Sequence, residues 1–301
     1  MAYKSSRRVD LGDVFGALIS ALQWRLLLLW VLILLLPVLM AALPLMQALG
    51  DLLNHSTHAR AWAQQFDAMM FGDVIQALGH QHATLHGALA ASLLLTLLLL
   101  PWLNGMVLAS GRAGRALGFG QLLQGGLMEY GRMFRLLLWS VLPYVVAGYL
   151  AQLGLDKADD IADAATLESR AMTAQHLAWW GAGVLVVIAQ AWVESARAAF
   201  VADVSLRSAS VAMLRGLMQL LRRPFSTLFA YLLVTLIGFA LAFAAGLARV
   251  HALSVSTQGL LLGCLLSALV VIALGWTRIA RLFALAEVAR SLGGTARRSS
   301  F

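Results

Sequence analysis

Long uncharged apolar runs constrain this chain more than any other feature. LLLLWVLILLLPVLMAALPLM (26–46), ALAASLLLTLLLLPWL (88–103) and LLVTLIGFALAFAAGLA (232–248) are three of them. A helix needs about 20 apolar residues to cross a bilayer. Lipid offers no partners for free backbone groups, so such segments must be helical or belong to a closed barrel. Only 12% of residues are charged, against about 25% in soluble domains. We read an all-α integral membrane protein with six spans at about 24–48, 87–109, 134–154, 177–197, 226–248 and 258–282. The first run is too long for a cleaved leader and is expected to stay as a span. Cys264 lies inside an apolar run and reads as a small core residue.

Loop charge gives the orientation. The N-terminal segment, the loops after spans two and four and the C-terminal end carry 18 of the 22 Lys and Arg residues. Cytoplasmic loops are enriched in these residues. Both termini are therefore expected in the cytoplasm, with the protein a multi-pass membrane component. The positive balance of +8 follows from that bias. The arginines are scattered and carry no recognition motif, so nucleic acid is not an expected partner. Membrane lipids are, with a homo-oligomer or other membrane proteins as further candidates.

Histidine is concentrated on the other side. His55, His58, His80, His82 and His86 lie in or beside the first outer loop. Neutral imidazole is a good transition-metal ligand. His82 and His86 have the histidine spacing of a zinc-protease helix, but Ala83 stands where that motif needs its glutamate. Metalloprotease chemistry is therefore not supported, and an interfacial polar loop competes with a metal site. No cofactor is expected. The acidic third loop, DKADDIADAATLESR, reads as a solvated helical connection or as a cation attractor.

The chain also repeats itself. Shifting 102–135 by 90 without a gap aligns Trp102 with Trp192, Gly126-Leu127-Met128 with Gly216-Leu217-Met218, and Arg132 with Arg222. Shifting 192–204 by 84 aligns Trp192 with Trp276 and Arg197 with Arg281. An apolar helical stripe precedes each odd-numbered span: Leu11, Val14, Phe15, Leu18, Leu22; then Phe119, Leu122, Leu123, Leu127, Tyr130; then Val211, Leu214, Met218, Leu221. Such stripes define amphipathic helices that lie in a membrane interface. Gly125-Gly126 and Pro224 are the expected breaks before the following spans. The chain reads as one membrane domain of three units, at about 10–110, 118–203 and 205–290, followed by a flexible tail at 291–301.

Three two-span repeats are also the plan of mitochondrial carriers, but their Pro-x-acidic-x-x-basic motif is absent after Pro37 and Pro143. The layout, and segments such as ARAAFVADVSLRSASVAMLRGLMQLLRRP (196–224), resemble bacterial six-span inner-membrane proteins. These are the YciC type and the membrane domain fused to some glycerophosphodiester phosphodiesterases. The resemblance implies an architecture and little about activity.

Within the membrane, Gly238, Ala242 and Gly246 on span five and Gly259, Gly263 and Ser267 on span six recur every four residues. Small residues so spaced allow close helix approach. They imply a tight hairpin, or alternatively a dimer face. Pro37, Pro44, Pro101 and Pro143 imply bending, or a gate. Two residues beyond each repeat tryptophan stands a polar group: Asn104, Glu194 and Arg278. A common axis would bring them together as a neutral cluster. The local alternative pairs Glu194 with Arg197.

No GxSxG, complete HExxH or paired intramembrane carboxylate supports an enzyme. The sequence favours a non-enzymatic structural or envelope and lipid-homeostasis role. A transporter or channel for a small solute, lipid or ion is the alternative.

Overall fold

The computed structural model describes residues 11–54, 72, 74–76, 79, 82–113, 115–251 and 257–296. The elements are α1 (Leu11–Ser20), α2 (Trp24–Asn54), α3 (His82–Ala113), α4 (Phe119–Trp139), α5 (Val141–Asp163), α6 (Glu168–Ala202), α7 (Ala209–Arg222), α8 (Pro224–His251) and α9 (Thr257–Ala296). No strand occurs among the described residues. Among the described residues, six segments are long and apolar enough to cross a membrane: Trp24–Asp51, Ala83–Ala113, Phe119–Asp163, Glu168–Ala202, Pro224–His251 and Leu261–Leu292.

Each expected span falls on one of these segments, but the breaks differ. Gly125-Gly126 does not interrupt the chain, since α4 runs unbroken from Phe119 to Trp139. The glycines serve packing instead. A Cβ on Gly126 would lie 2.6 Å from both Trp102 Cδ1 and Met106 Cγ, and one on Gly125 would lie 2.5 Å from Ala109 Cβ. The break comes at Ser140, and Pro143 then falls in the first turn of α5. A missing N–H costs nothing there, because first-turn N–H groups have no intrahelical partner. Pro224 behaves as expected and begins α8 directly after α7 and Arg223. Pro37, Pro44 and Pro101 lie inside continuous helices. Ser92 Oγ donates to the Pro37 carbonyl at 2.7 Å and ties α3 to α2. Residues 291–296, read as tail, continue α9.

Two packing patterns organise the bundle. Neighbouring spans pair as α2 with α3, α5 with α6, and α8 with α9. In addition α3 packs on α4, α6 on α7, and α9 returns to α1. Burial gathers at the end that carries these junctions. On α6 every residue from 193 to 201 is buried, and none from 168 to 188 is. On α3 burial begins at Pro101. On α9 it is dense from Gly275 to Val288, and Gly263 alone is buried among the described side chains before it.

Candidate functional site

The three repeat tryptophans make the same bond. Trp102 Nε1 donates to the Leu123 carbonyl at 3.2 Å, Trp192 Nε1 to the Met213 carbonyl at 2.9 Å, and Trp276 Nε1 to the Leu18 carbonyl at 3.1 Å. Three residues beyond each acceptor stands a small residue: Gly126, Gly216 and Ala21. That position is one helical turn on, beneath the incoming span. A Cβ on Gly216 would lie 2.6 Å from Ala196 N and 2.9 Å from the Trp192 carbonyl oxygen. Only a residue without a side chain allows that approach.

Of the three stripes expected to be apolar faces, the one on α7 points outward throughout, and the other two are split between exposed and buried residues. Val211, Leu214, Met218 and Leu221 of α7 are exposed, while Ala209, Ala212, Met213, Gly216, Gln219 and Leu220 are buried. On α1, Phe15 and Ile19 are exposed and Ala17 and Leu18 buried; Leu22, just beyond its end, is exposed and Ala21 buried. On α4, Leu127 is 70% and Met128 78% exposed, with Leu122 buried.

Between the spans lies a charged cluster. Glu194 is 2% exposed and accepts from Arg197 Nη1 at 2.9 Å. Arg281 Nη2 of α9 lies 3.8 Å from the same oxygen. Arg281 Nη1 is also 3.4 Å from the Tyr231 hydroxyl and from Thr235 Oγ1, and its guanidinium sits 5.2 Å from the Tyr231 ring centre. Arg278 has Glu194, Arg197, Arg281 and Tyr144 as electrostatic neighbours. Its guanidinium lies 6.0 Å from the centre of the Trp30 ring, and its buried Nε has no acceptor. Tyr144 hydrogen-bonds Gln190.

The expected neutral trio therefore does not form as drawn. Asn104 is buried on α3, but no bond joins it to Glu194 or Arg278 among the described residues. Glu194 takes its local partner Arg197, and across the helices it meets Arg281 rather than Arg278. Three guanidiniums and one carboxylate leave the cluster two charges positive. Arg281 was visible in the sequence only as the repeat match of Arg197. Its i, i+3 spacing from Arg278, like that of Glu194 from Arg197, was the available signal.

A second ionic junction closes the same end of the bundle. Arg112 Nη1 donates to Glu129 Oε1 at 2.8 Å, and Arg132 Nη1 lies 3.1 Å from Glu129 Oε2. Arg112 Nε and Nη2 donate to the Phe200 carbonyl at 3.0 and 2.6 Å. This is one of the last carbonyls of α6, which have no intrahelical donor. Beyond α6, Asp203 accepts from the Ser205 amide at 2.9 Å, from the Ser205 hydroxyl at 2.6 Å and from Arg215 at 2.6 Å. The Ser205 hydroxyl and the Arg215 guanidinium lower its pKa to about 2. A cavity of about 680 Å³ also opens here, with Ser20, Gln23, Ser110, Arg115, Glu287 and Arg290 in its lining.

The other candidates fare unequally. His55, His58 and His80 lie outside the described residues. His82 begins α3 and His86 is exposed one turn later. No group of three metal-ligating residues occurs among the described residues. The acidic loop is largely helical, with α5 continuing to Asp163 and Lys157 3.1 Å from Asp160. Gly238 packs so closely on Thr277 that a Cβ would overlap its side chain, and Ala242 is buried. Gly263 meets the Arg249 side chain, at 2.9 Å from an added Cβ. Gly246 faces open space, and Ser267 Oγ donates to the Gly263 carbonyl of its own helix at 2.9 Å. Gly259 is half-buried. Cys264 is exposed rather than buried in the core.

The class these features define is an all-α, multi-pass membrane protein. No family model, curated protein or solved structure matches the chain.

Proposed function

We propose that this chain is a non-enzymatic protein of a bacterial inner membrane with a structural or lipid-homeostasis role in the envelope. Its three units are arranged cyclically about an axis along the membrane normal. Each even-numbered span is locked by its tryptophan to the short helix that opens the next unit. The pattern of bonds to Leu123, Met213 and Leu18 supports this arrangement, because the third bond links positions 258 residues apart and so completes the cycle. The short helices, with apolar residues turned outward and arginines nearby, suit the cytoplasmic interface.

The observation that carries the role is the dense packing at the locked end. Leu103, Met106, Phe200, Ile279 and Leu285 are all completely buried. A Cβ on Gly111 would lie 2.8 Å from Phe283 Cε1 and 3.1 Å from Val201 Cγ1. This close packing supports a structural role, and Gly111, Val201 and Phe283 also line the cavity of about 680 Å³ at that end. Depletion of the protein in its host is expected to alter envelope permeability or lipid composition. Saturable, competable uptake of one solute by proteoliposomes would overturn the role. The second reading, a transporter or channel, is favoured by Glu194, since ionisable groups within spans commonly mark solute or proton pathways.

Orientation has its own test. In a Cys264→Ala background, cysteines at Ser56 and Ala165 are expected to react with an impermeant thiol reagent added outside intact cells. One at Ser208 is not, and labelling there would reverse the topology.

A further inference from the structure

From the charge imbalance around Glu194 we infer that Arg278 and Arg281 bind one phosphate-type oxyanion, either the headgroup of a lipid in the adjoining leaflet or a free phosphate. The inference rests on membrane placement and not on the structural role, so either can fail alone.

Arginine does not deprotonate in proteins, and its planar fork offers five donors suited to a phosphate. Arg197 spends one donor on the Glu194 carboxylate at 2.9 Å. Arg281 holds only long contacts: 3.8 Å to Glu194, and 3.4 Å to Tyr231 and Thr235. Arg278 has no hydrogen bond or ion pair among the described residues, and the Nε atoms of both Arg278 and Arg281 are sealed without an acceptor. A surplus of two positive charges in this setting is costly unless an anion joins it.

Snorkelling is the usual escape for a membrane arginine, but here it is restricted. Arg278 lies over the Trp30 ring, and Arg281 sits at the Tyr231 ring with its side chain 14% exposed. The remaining electrostatic neighbour of Arg278 is Tyr144, which is exposed on the outer surface of the bundle. Arg278 and Arg281 are themselves partly exposed, so the site adjoins a surface. The inward guanidiniums would take the phosphate oxygens, and a lipid's chains would lie along the apolar exterior.

Delipidated full-length protein in a neutral detergent is offered phosphatidylglycerol or inorganic phosphate. Native mass spectrometry reads the bound lipid, and thermal unfolding reads the protection. One phosphatidylglycerol retained by the wild type, weakened about tenfold in Arg278→Gln (one charge-assisted contact) and unchanged in Arg170→Gln, supports the lipid source. Protection by inorganic phosphate alone, lost in Arg278→Gln, supports a free anion. Should Arg278→Gln fail to fold, Arg278→Lys keeps the charge without the fork and is expected to bind more weakly than wild type. Binding of neither probe by the wild type, or equal binding by a folded Arg278 variant, overturns the site.

Discussion

The two ends of α6 belong to different physical worlds. From Glu168 to Ile188 no residue is buried, and Trp179 and Trp180 stand exposed. From Val193 to Val201 every residue is buried, and the helix carries Glu194, Arg197 and the lock from Trp192. Glycine makes the same contrast. Gly181 and Gly183 at the first end face open space, whereas Gly216 presses on Ala196 at the second. From Leu177 to Ile188 the first region is apolar enough to face lipid, where any apolar side chain serves. In the second, buried polar groups must find partners and backbones must meet, so composition is constrained atom by atom. Tertiary stability is therefore expected to reside in the locked end.

The strongest attempt to break this contrast is at charge. Glu194→Gln removes the carboxylate facing Arg197 and Arg281, and loss of one partner from a buried ion pair costs about 3–5 kcal/mol. Glu168→Gln, at the exposed start of the same helix, is expected to change stability by less than about 0.5 kcal/mol. Thermal unfolding in detergent compares them, and similar losses would erase the distinction.

Next comes backbone approach. Gly216→Ala forces α6 and α7 apart and is expected to cost about 2–3 kcal/mol by overpacking. Gly183→Ala meets nothing and should be neutral or stabilising by up to about 1 kcal/mol, from helix propensity. A melting temperature that moves the same way in both would sink the assignment of Gly216 as a contact point.

Trp276→Phe keeps a ring but strands the Leu18 carbonyl, an effect of about 1–2 kcal/mol. Trp180→Phe, on the exposed end, should be silent. Hydrogen exchange sharpens the point: the tryptophan variant should loosen the amides of α1 selectively, and uniform loosening would argue against a local lock.

The smallest effect is expected at Asp203, beyond the end of α6. Its folded pKa of about 2 lies below the ordinary 3.8, so the unfolded chain binds the proton more readily. The carboxylate's contribution is complete above the unfolded value and is lost as pH falls through about 2. Because the group is solvent-accessible, Asp203→Asn should cost less than about 1 kcal/mol at neutral pH. The difference from wild type should vanish in strong acid, and a gap that widens there contradicts the ion-pair account.

Much of the architecture was legible in the residues. Hydropathy is a property of a segment by itself, because lipid forces each apolar run to satisfy its own backbone. That is why the spans at 87–109 and 226–248 fall within α3 and α8. Pro224 marked a boundary correctly, because a proline at a first helical position loses nothing. Gly125-Gly126 did not, because helix breaking by glycine is a weak preference of about 1 kcal/mol per residue. The close approach of Trp102, Met106 and Ala109 outweighs it.

The charged cluster shows where local reading ends. Spacing along α9 puts Arg278 and Arg281 on neighbouring parts of one face, separated by about 4.5 Å of axial rise. Which of them meets Glu194 depends on the rotation and axial offset of α9 against α6. Those are decided by contacts remote in sequence, among them Gly238 beneath Thr277 and Trp276 on the Leu18 carbonyl. The sequence by itself determined which segments are helical and apolar enough to span, since that depends on each segment and its solvent. Only the tertiary structure decided that Arg281 reaches Glu194 while Arg278 is left over Trp30. An offset of one helical turn between packed helices changes no local pattern, yet it exchanges every partner across the interface.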